Sequence, residues 1–273
     1  MILLEIERTM IFVNHCHVFP PSMKSEGTLD VLVKTMRACS IDRAVAFAPF
    51  EERTPPSIGD PNEWLIRNLP SYPEIVGFAC INPLSRNSVE KLEKAWSQGL
   101  LGVKLHPPIQ RFRINDSKAY SFYSKAQELG VILDFHTGVH GWRLMEYRPL
   151  LLDDVAYAFP DLKIIIEHVG GRGLYDEALA LLLNKRNVYA GISSCLNEET
   201  HKAWYIGTEG VEELADLIGE DRLIYGTDFP CICSCGDQYG PNRRHLNILR
   251  DLELEEEVYE VIIYKNAERV LKP

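Results

Sequence analysis

The chain has 273 residues, is 46% hydrophobic, and carries 39 acidic against 29 basic residues, a formal net charge of -10. That balance argues against nucleic acid or an anionic membrane as the main partner, since both are polyanions. No apolar run approaches the roughly 18 residues of a membrane span, and seven cysteines without a regular framework suit a reducing cytoplasm better than a secreted disulfide scaffold.

The N-terminal Met1-Ile-Leu-Leu4 is broken at once by Glu5, Glu7 and Arg8 and does not read as a signal peptide. The first expected strand, Ile11–His17, ends in two histidines one residue apart. Side chains two apart on a strand share a face, so the rings of His15 and His17 are expected on one side of its C-terminal end. Neutral imidazole is a common ligand for zinc-like ions.

A regular alternation follows. The helix Thr28–Cys39 leads to the strand Arg43–Phe47, then Asn62–Asn68 to Ile75–Ile81, and Ser88–Gln98 to Gly102–His106. The helix Ser117–Leu129, with Asp116 or Ser117 as its cap and Gly130 as its stop, precedes the strand Val131–His136. Next come Asp153–Phe159 before Lys163–His168, Tyr175–Asn184 before Val188–Ser193, and Val211–Ile218 before Arg222–Thr227. Two further helices are expected around Arg244–Asp251 and Leu254–Ile262.

Short Val-, Ile- and Phe-rich runs between amphipathic stretches predict buried parallel strands, and eight is the number that closes a barrel. No linker or low-complexity tract divides the chain, so residues 1–273 are expected to form one (β/α)8 TIM barrel domain. The competing fold, an open doubly wound sheet, would bring a glycine-rich phosphate loop after an early strand. Here two histidines and then Pro20-Pro21 occupy that place.

In such barrels the chemistry sits at the C-terminal strand ends. Those ends supply His15 and His17, then Lys104 and His106, then His136, His168 and Asp228. Five of the chain's eight histidines fall at that rim. Three imidazoles and a carboxylate suit Zn²⁺, with Mn²⁺, Fe²⁺ or Co²⁺ as alternatives. An open position on such an ion lowers the pKa of a water toward about 7.

The segments Asn14-His-Cys-His17, Gly102-Val-Lys-Leu-His-Pro107, Asp134-Phe-His-Thr-Gly138, Phe159-Pro-Asp-Leu-Lys-Ile164, Glu167-His-Val-Gly-Gly171 and Tyr225-Gly-Thr-Asp-Phe-Pro230 resemble the amidohydrolase-related metal-dependent hydrolases. This is the branch of the amidohydrolase superfamily that includes aminocarboxymuconate-semialdehyde decarboxylase. The resemblance implies a single divalent metal ion held by His15, His17, His136 and Asp228. It places His168 beside the water that the ion activates. In binuclear members of the superfamily a fourth-strand lysine is carbamylated and bridges two metals. Lys104 lies on the matching strand, but its Gly-Val-Lys-Leu-His-Pro setting usually accompanies one metal. One departure from the pattern is Asn14, in a place more often occupied within Asp-x-His-x-His.

Several residues carry blander readings as well. Asp228 could cap the turn before Pro230, Lys104 could pair with Asp134 or Glu167, and His106 could be a structural rim residue. Cys231, Cys233 and Cys235 lack the paired spacing of a zinc ribbon and read as an irregular loop. Arg143 or Arg172 could grip a substrate carboxylate as a bidentate fork, and Lys104 could also touch substrate. The expected activity is hydrolysis of an ester, lactone or amide of a small molecule, with His168 and Asp228 moving protons. Its alternative is non-oxidative decarboxylation of a small unsaturated or aromatic acid. Assembly into a homo-oligomer is left open, dimers being commonest.

Overall fold

The computed structural model describes residues 8–199, 201–230, 239–252 and 254–271. Its eight strands are β1 (Phe12–His17), β2 (Arg43–Phe47), β3 (Ile75–Cys80), β4 (Gly102–Leu105), β5 (Ile132–His136), β6 (Ile164–Glu167), β7 (Val188–Gly191) and β8 (Leu223–Ile224). They pair in parallel in sequence order from β1 to β8. On the far side Asn14 N donates to Tyr225 O at 2.8 Å and His17 N donates to Phe229 O at 2.7 Å, which brings the sheet round into a barrel. The expected TIM barrel is present.

Strand chemistry explains the closure. Ile164, Ile165 and Ile166 are all fully buried, as strands covered on both faces must be. Side-chain caps open helices between the strands, with Thr28 standing before its helix where it was expected as the first helical residue. Thr28 accepts from Val31 N at 3.3 Å to start Leu29–Cys39. Asp116 accepts from Lys118 N at 2.9 Å ahead of Tyr120–Leu129, and Gly130 ends that helix at φ 69°. Left-handed backbone there costs glycine nothing.

Three differences from the expected elements shape the site. First, β1 is not a regular strand. Val13 pairs with Ala44 and Cys16 with Ala46, so three steps on β1 face two on β2. His15 supplies the extra residue at φ 68°. A bulge of this kind re-aims side chains. Here it turns both Asn14 and His15 into the barrel, which simple alternation forbids. Second, β8 has two residues where six were expected. The chain leaves the ladder at Tyr225, and Asp228 sits beyond it at φ 57°. Third, Pro107–Gln110 forms a short helix directly after β4. Toward the C-terminus, helical turns run over Gly240–Arg250 and then from Glu256 to Val270. No described helix is long and apolar enough to cross a membrane.

The Gly240–Arg250 helix carries a buried histidine that ties the last strand to a rim loop. His245 Nε2 accepts from Leu196 N at 3.2 Å, and its Nδ1 lies 3.0 Å from Tyr225 Oη. Burial pushes its pKa from 6.5 down to about 3. The folded chain therefore keeps this ring neutral while the unfolded chain protonates it below about pH 6.5. Stability from His245 is complete above that pH and is lost as pH falls toward 3. From pH 7 to pH 5 the expected loss is about 2 kcal/mol. Urea unfolding at both pH values should show a loss smaller by that amount in His245→Gln than in the native chain, to whose loss the other buried histidines add.

Candidate metal centre

The strand ends converge as the alternation requires. His15, His17, His106, His136, His140, His168 and His201, seven of the chain's eight histidines, line one cavity of ≈ 280 Å³ at the C-terminal rim. Among the described residues, two groups of three potential donors have atoms that all lie within 4.8 Å of one another, His15, His17 and Asp228 at the cavity and the fully buried His15, Asp134 and Glu167. His15 Nε2 is 3.1 Å from His17 Nε2 and 3.2 Å from Asp228 Oδ1, and His17 Nε2 is 3.8 Å from the same oxygen.

These residues fit a divalent cation on two grounds. Burial, aided by the Lys104 ammonium, holds both rings neutral, His15 far below the usual histidine value and His17 at about 3. Neutral rings with nitrogens this close present lone pairs to one point, the arrangement a cation relieves. The charge count agrees. Asp134 and Glu167 are wholly buried and Asp228 nearly so, against one buried ammonium on Lys104. Three carboxylates and one ammonium leave two negative charges, which a divalent ion balances. Without that balance burial raises the Asp228 carboxyl to about 7, and burial next to Asp134 raises Glu167 well above the carboxylate range.

His136 stands beside this triangle. Its Nε2 is 2.8 Å from the Gly138 carbonyl, and its ring stacks on His106 at 4.0 Å and 8°. His168 approaches from β6, with ring centroids 5.1 Å from His15 and 4.9 Å from His136. Its Nδ1 is 2.8 Å from Ser193 O, which fixes the proton on Nδ1 and leaves Nε2 as an acceptor. Its other face lies on Trp204 at 4.1 Å and 15°. His15, His168 and Asp228 all have positive φ, at 68°, 65° and 57°. Such conformations cost about 1–3 kcal/mol each and cluster where geometry is functional.

The three cationic residues expected at the substrate lie elsewhere. Lys104 is fully buried below the cavity, with Nζ 2.6 Å from Asp134 Oδ1, the alternative pairing its strand position allowed. Arg143 is exposed and pairs with Glu146 at 3.3 Å. Arg172 pairs with Glu198 at 2.9 Å and packs over the Tyr205 ring at 5.0 Å. Lys24 and Arg53 line the cavity instead. Cys231, Cys233 and Cys235 lie outside the described residues.

Sequence reasoning also missed His201 and Trp204, both from the segment after β7. His201 stacks on Trp204 at 4.5 Å, with Nε2 3.6 Å from Asp228 Oδ2. The signal available was Gly138, where an added Cβ would fall 2.4 Å from the Trp204 indole. A glycine two residues past a strand-final histidine marks a close approach, though not by what.

A divalent ion in excess should raise the thermal unfolding midpoint of the native chain, by about 2.7 kcal/mol of stability at 100 times its dissociation constant. A chelator should reverse the rise, and His17→Ala and Asp228→Ala should lack it. Titrations with Zn²⁺ and Mn²⁺ followed by differential scanning fluorimetry check this; a native midpoint indifferent to both ions would speak against the centre.

A family model described as amidohydrolase matches residues 15–272. No curated protein matches the chain. Among solved structures, an uncharacterised TIM-barrel protein from Bordetella bronchiseptica superposes with a TM-score of 0.76 at 17% identity, covering 96% of this chain and 98% of that one. A 5-carboxyvanillate decarboxylase from Novosphingobium aromaticivorans, complexed with manganese and 4-hydroxy-3-methoxy-5-nitrobenzoic acid, gives 0.72 at 12% identity, covering 97% and 96%. A Pseudomonas putida protein described as a 2-pyrone-4,6-dicarboxylic acid hydrolase gives 0.69 at 16% identity, covering 97% and 98%. At these identities the likeness is one of fold.

Proposed function

Because the chain belongs to the amidohydrolase family, we propose that it is a metal-dependent hydrolase acting on an ester, lactone or amide bond of a small carboxylate-bearing molecule. His15, His17 and Asp228, with His136 beside them, would hold the ion, Zn²⁺ being the first choice for this donor set. When bound, a divalent ion polarises a carbonyl and lowers the pKa of a water toward about 7.

The observation that carries the proposal is the tautomer of His168. With Nδ1 committed to the Ser193 carbonyl, its Nε2 lone pair is the one available for catalysis. Burial keeps the ring neutral, so its Nε2 lone pair is free to face an attacking water as a base. Trp204 stacked against it prevents the ring from turning away. Whichever of His168 and Asp228 takes the water's proton would then return it to the leaving group. The second carrier has an outlet, because Asp228 Oδ2 faces His201, which is partly exposed in the cavity.

Lys24 and Arg53 take the place first expected of Lys104, Arg143 and Arg172. Both line the cavity, and both favour an anionic substrate group at its mouth.

The second reading, non-oxidative decarboxylation of an unsaturated or aromatic acid, is favoured by one feature. Phe19, Phe50 and Trp204 line the same cavity and offer apolar faces to a flat ring. The decarboxylase among the structural neighbours acts, by its name, on an aromatic acid.

A panel of esters, lactones and aromatic acids assayed in ¹⁸O-water separates the two. The hydrolase incorporates ¹⁸O into product; the decarboxylase releases CO₂ and takes solvent deuterium onto carbon. In His168→Asn, kcat should fall by about 10²–10⁴ while bound metal is retained, and full activity with metal in place would remove His168 from its role. Arg53→Ala should raise KM for carboxylate substrates with little change in kcat, measured against their uncharged amides.

A further inference from the structure

Beneath the cavity lies a set of buried polar groups that the proposed reaction does not use. Asn14, Lys104, Asp134 and Glu167 are all fully buried inside the barrel. Lys104 Nζ donates to Asp134 Oδ1 at 2.6 Å. Asn14 Nδ2 donates to Asp134 Oδ2 at 3.0 Å and also to Glu167 Oε1 in a short contact. The other oxygen, Glu167 Oε2, is 3.1 Å from His15 Nδ1. Neither of these last two atoms has an aligned hydrogen-bond partner among the described residues, and at 3.1 Å a small rotation of the His15 ring would align the pair.

Room for the carboxylate comes from β7. Glu167 pairs in register with Gly191, and a Cβ added there would stand 2.5 Å from Glu167 Cδ and 2.5 and 2.6 Å from its two oxygens. Any other residue at position 191 would displace the carboxylate. The bulge at His15 completes the arrangement by turning Nδ1 to the barrel axis and Nε2 to the His17–Asp228 side.

We propose that Glu167 is a positioning residue for His15: it accepts the Nδ1 proton and so commits the Nε2 lone pair to the cation, with Asn14, Asp134 and Lys104 holding the carboxylate in place. The assignment rests on the metal-dependent reading. It gives Lys104 a structural task, as the internal counter-charge that keeps Asp134 and the Asn14 amide in register. A carboxylate on the far nitrogen of a ligating histidine fixes its tautomer and ring orientation, and loss of such a partner typically costs 10–100-fold in metal affinity.

The test uses the full chain. Zinc affinity is measured by competition with a chromophoric chelator in the native protein and in Glu167→Gln, with circular dichroism to confirm folding. Long-range ¹H–¹⁵N correlation spectra of the zinc-loaded native protein read the tautomer of each ring, with His15 identified by substitution. Glu167→Gln should bind zinc 10–100-fold more weakly, and His15 in the native protein should carry its proton on Nδ1. Unchanged affinity in a folded Glu167→Gln, or a proton on His15 Nε2, would overturn the assignment alone. Should Glu167→Gln not fold, the tautomer in the native chain decides. Uptake by the native chain of none of zinc, manganese, iron or cobalt would overturn the metal-dependent reading and this assignment with it.

Discussion

A barrel interior that excludes water must settle its charges internally, and in this chain it does so around Lys104 and Asp134. Both side chains are wholly buried, and they are direct register partners on β4 and β5. Removing either partner of such a pair costs about 3–5 kcal/mol, because the survivor is left charged in a poor solvent. The pair is not self-sufficient, however. Glu167 stands one strand away from Asp134 and linked to it through Asn14, and Asp228 closes the cavity above. The surplus negative charge collects on the side of the barrel where the imidazole nitrogens point. That surplus would favour a divalent cation at this mouth, where the donor set of His15, His17 and Asp228 stands.

Backbone geometry at that mouth is costly in the same region. His15, His168 and Asp228 each adopt left-handed conformations that side chains disfavour. The surroundings hold each of them. His15 lies on a bulge hydrogen-bonded through its neighbours to the chain after β8, with Asn14 N donating to Tyr225 and His17 N to Phe229. His168 is held by the Ser193 carbonyl on one edge and Trp204 on one face. The Asp228 segment passes close over β1, where a Cβ at Gly226 would fall 3.2 Å from His15 Cβ. A bulged strand and the segments just past β6 and β8 thus fix three side chains whose angles a regular ladder would misdirect.

Above this fixed floor, recognition is built from segments between strands. Lys24 and Arg53 reach the cavity from the segments after β1 and β2, and His201 and Trp204 from the segment after β7. Such segments are where related barrels diverge in substrate while sharing a floor. The hydrolytic and decarboxylative readings share the floor, so the choice between them lies with the groups that bind the substrate and not with the ligands.

The alternation of apolar runs and amphipathic stretches determined the eight-stranded barrel, because hydrophobic period and strand length are local properties. It also determined that His15, His17, His136, His168 and Asp228 meet at one rim, since parallel strands must end on the same side. Which of them share donor atoms was decided only in three dimensions. A one-residue bulge set His15 apart from simple alternation, and His136 turned its Nε2 to Gly138. Lys104, Arg143 and Arg172 carry charge in the sequence without direction. Burial against Asp134 and exposure beside Glu146 and Glu198 took them away from the cavity. His201 and Trp204 belong to a segment without periodicity, where position depends on long-range packing that no local pattern encodes.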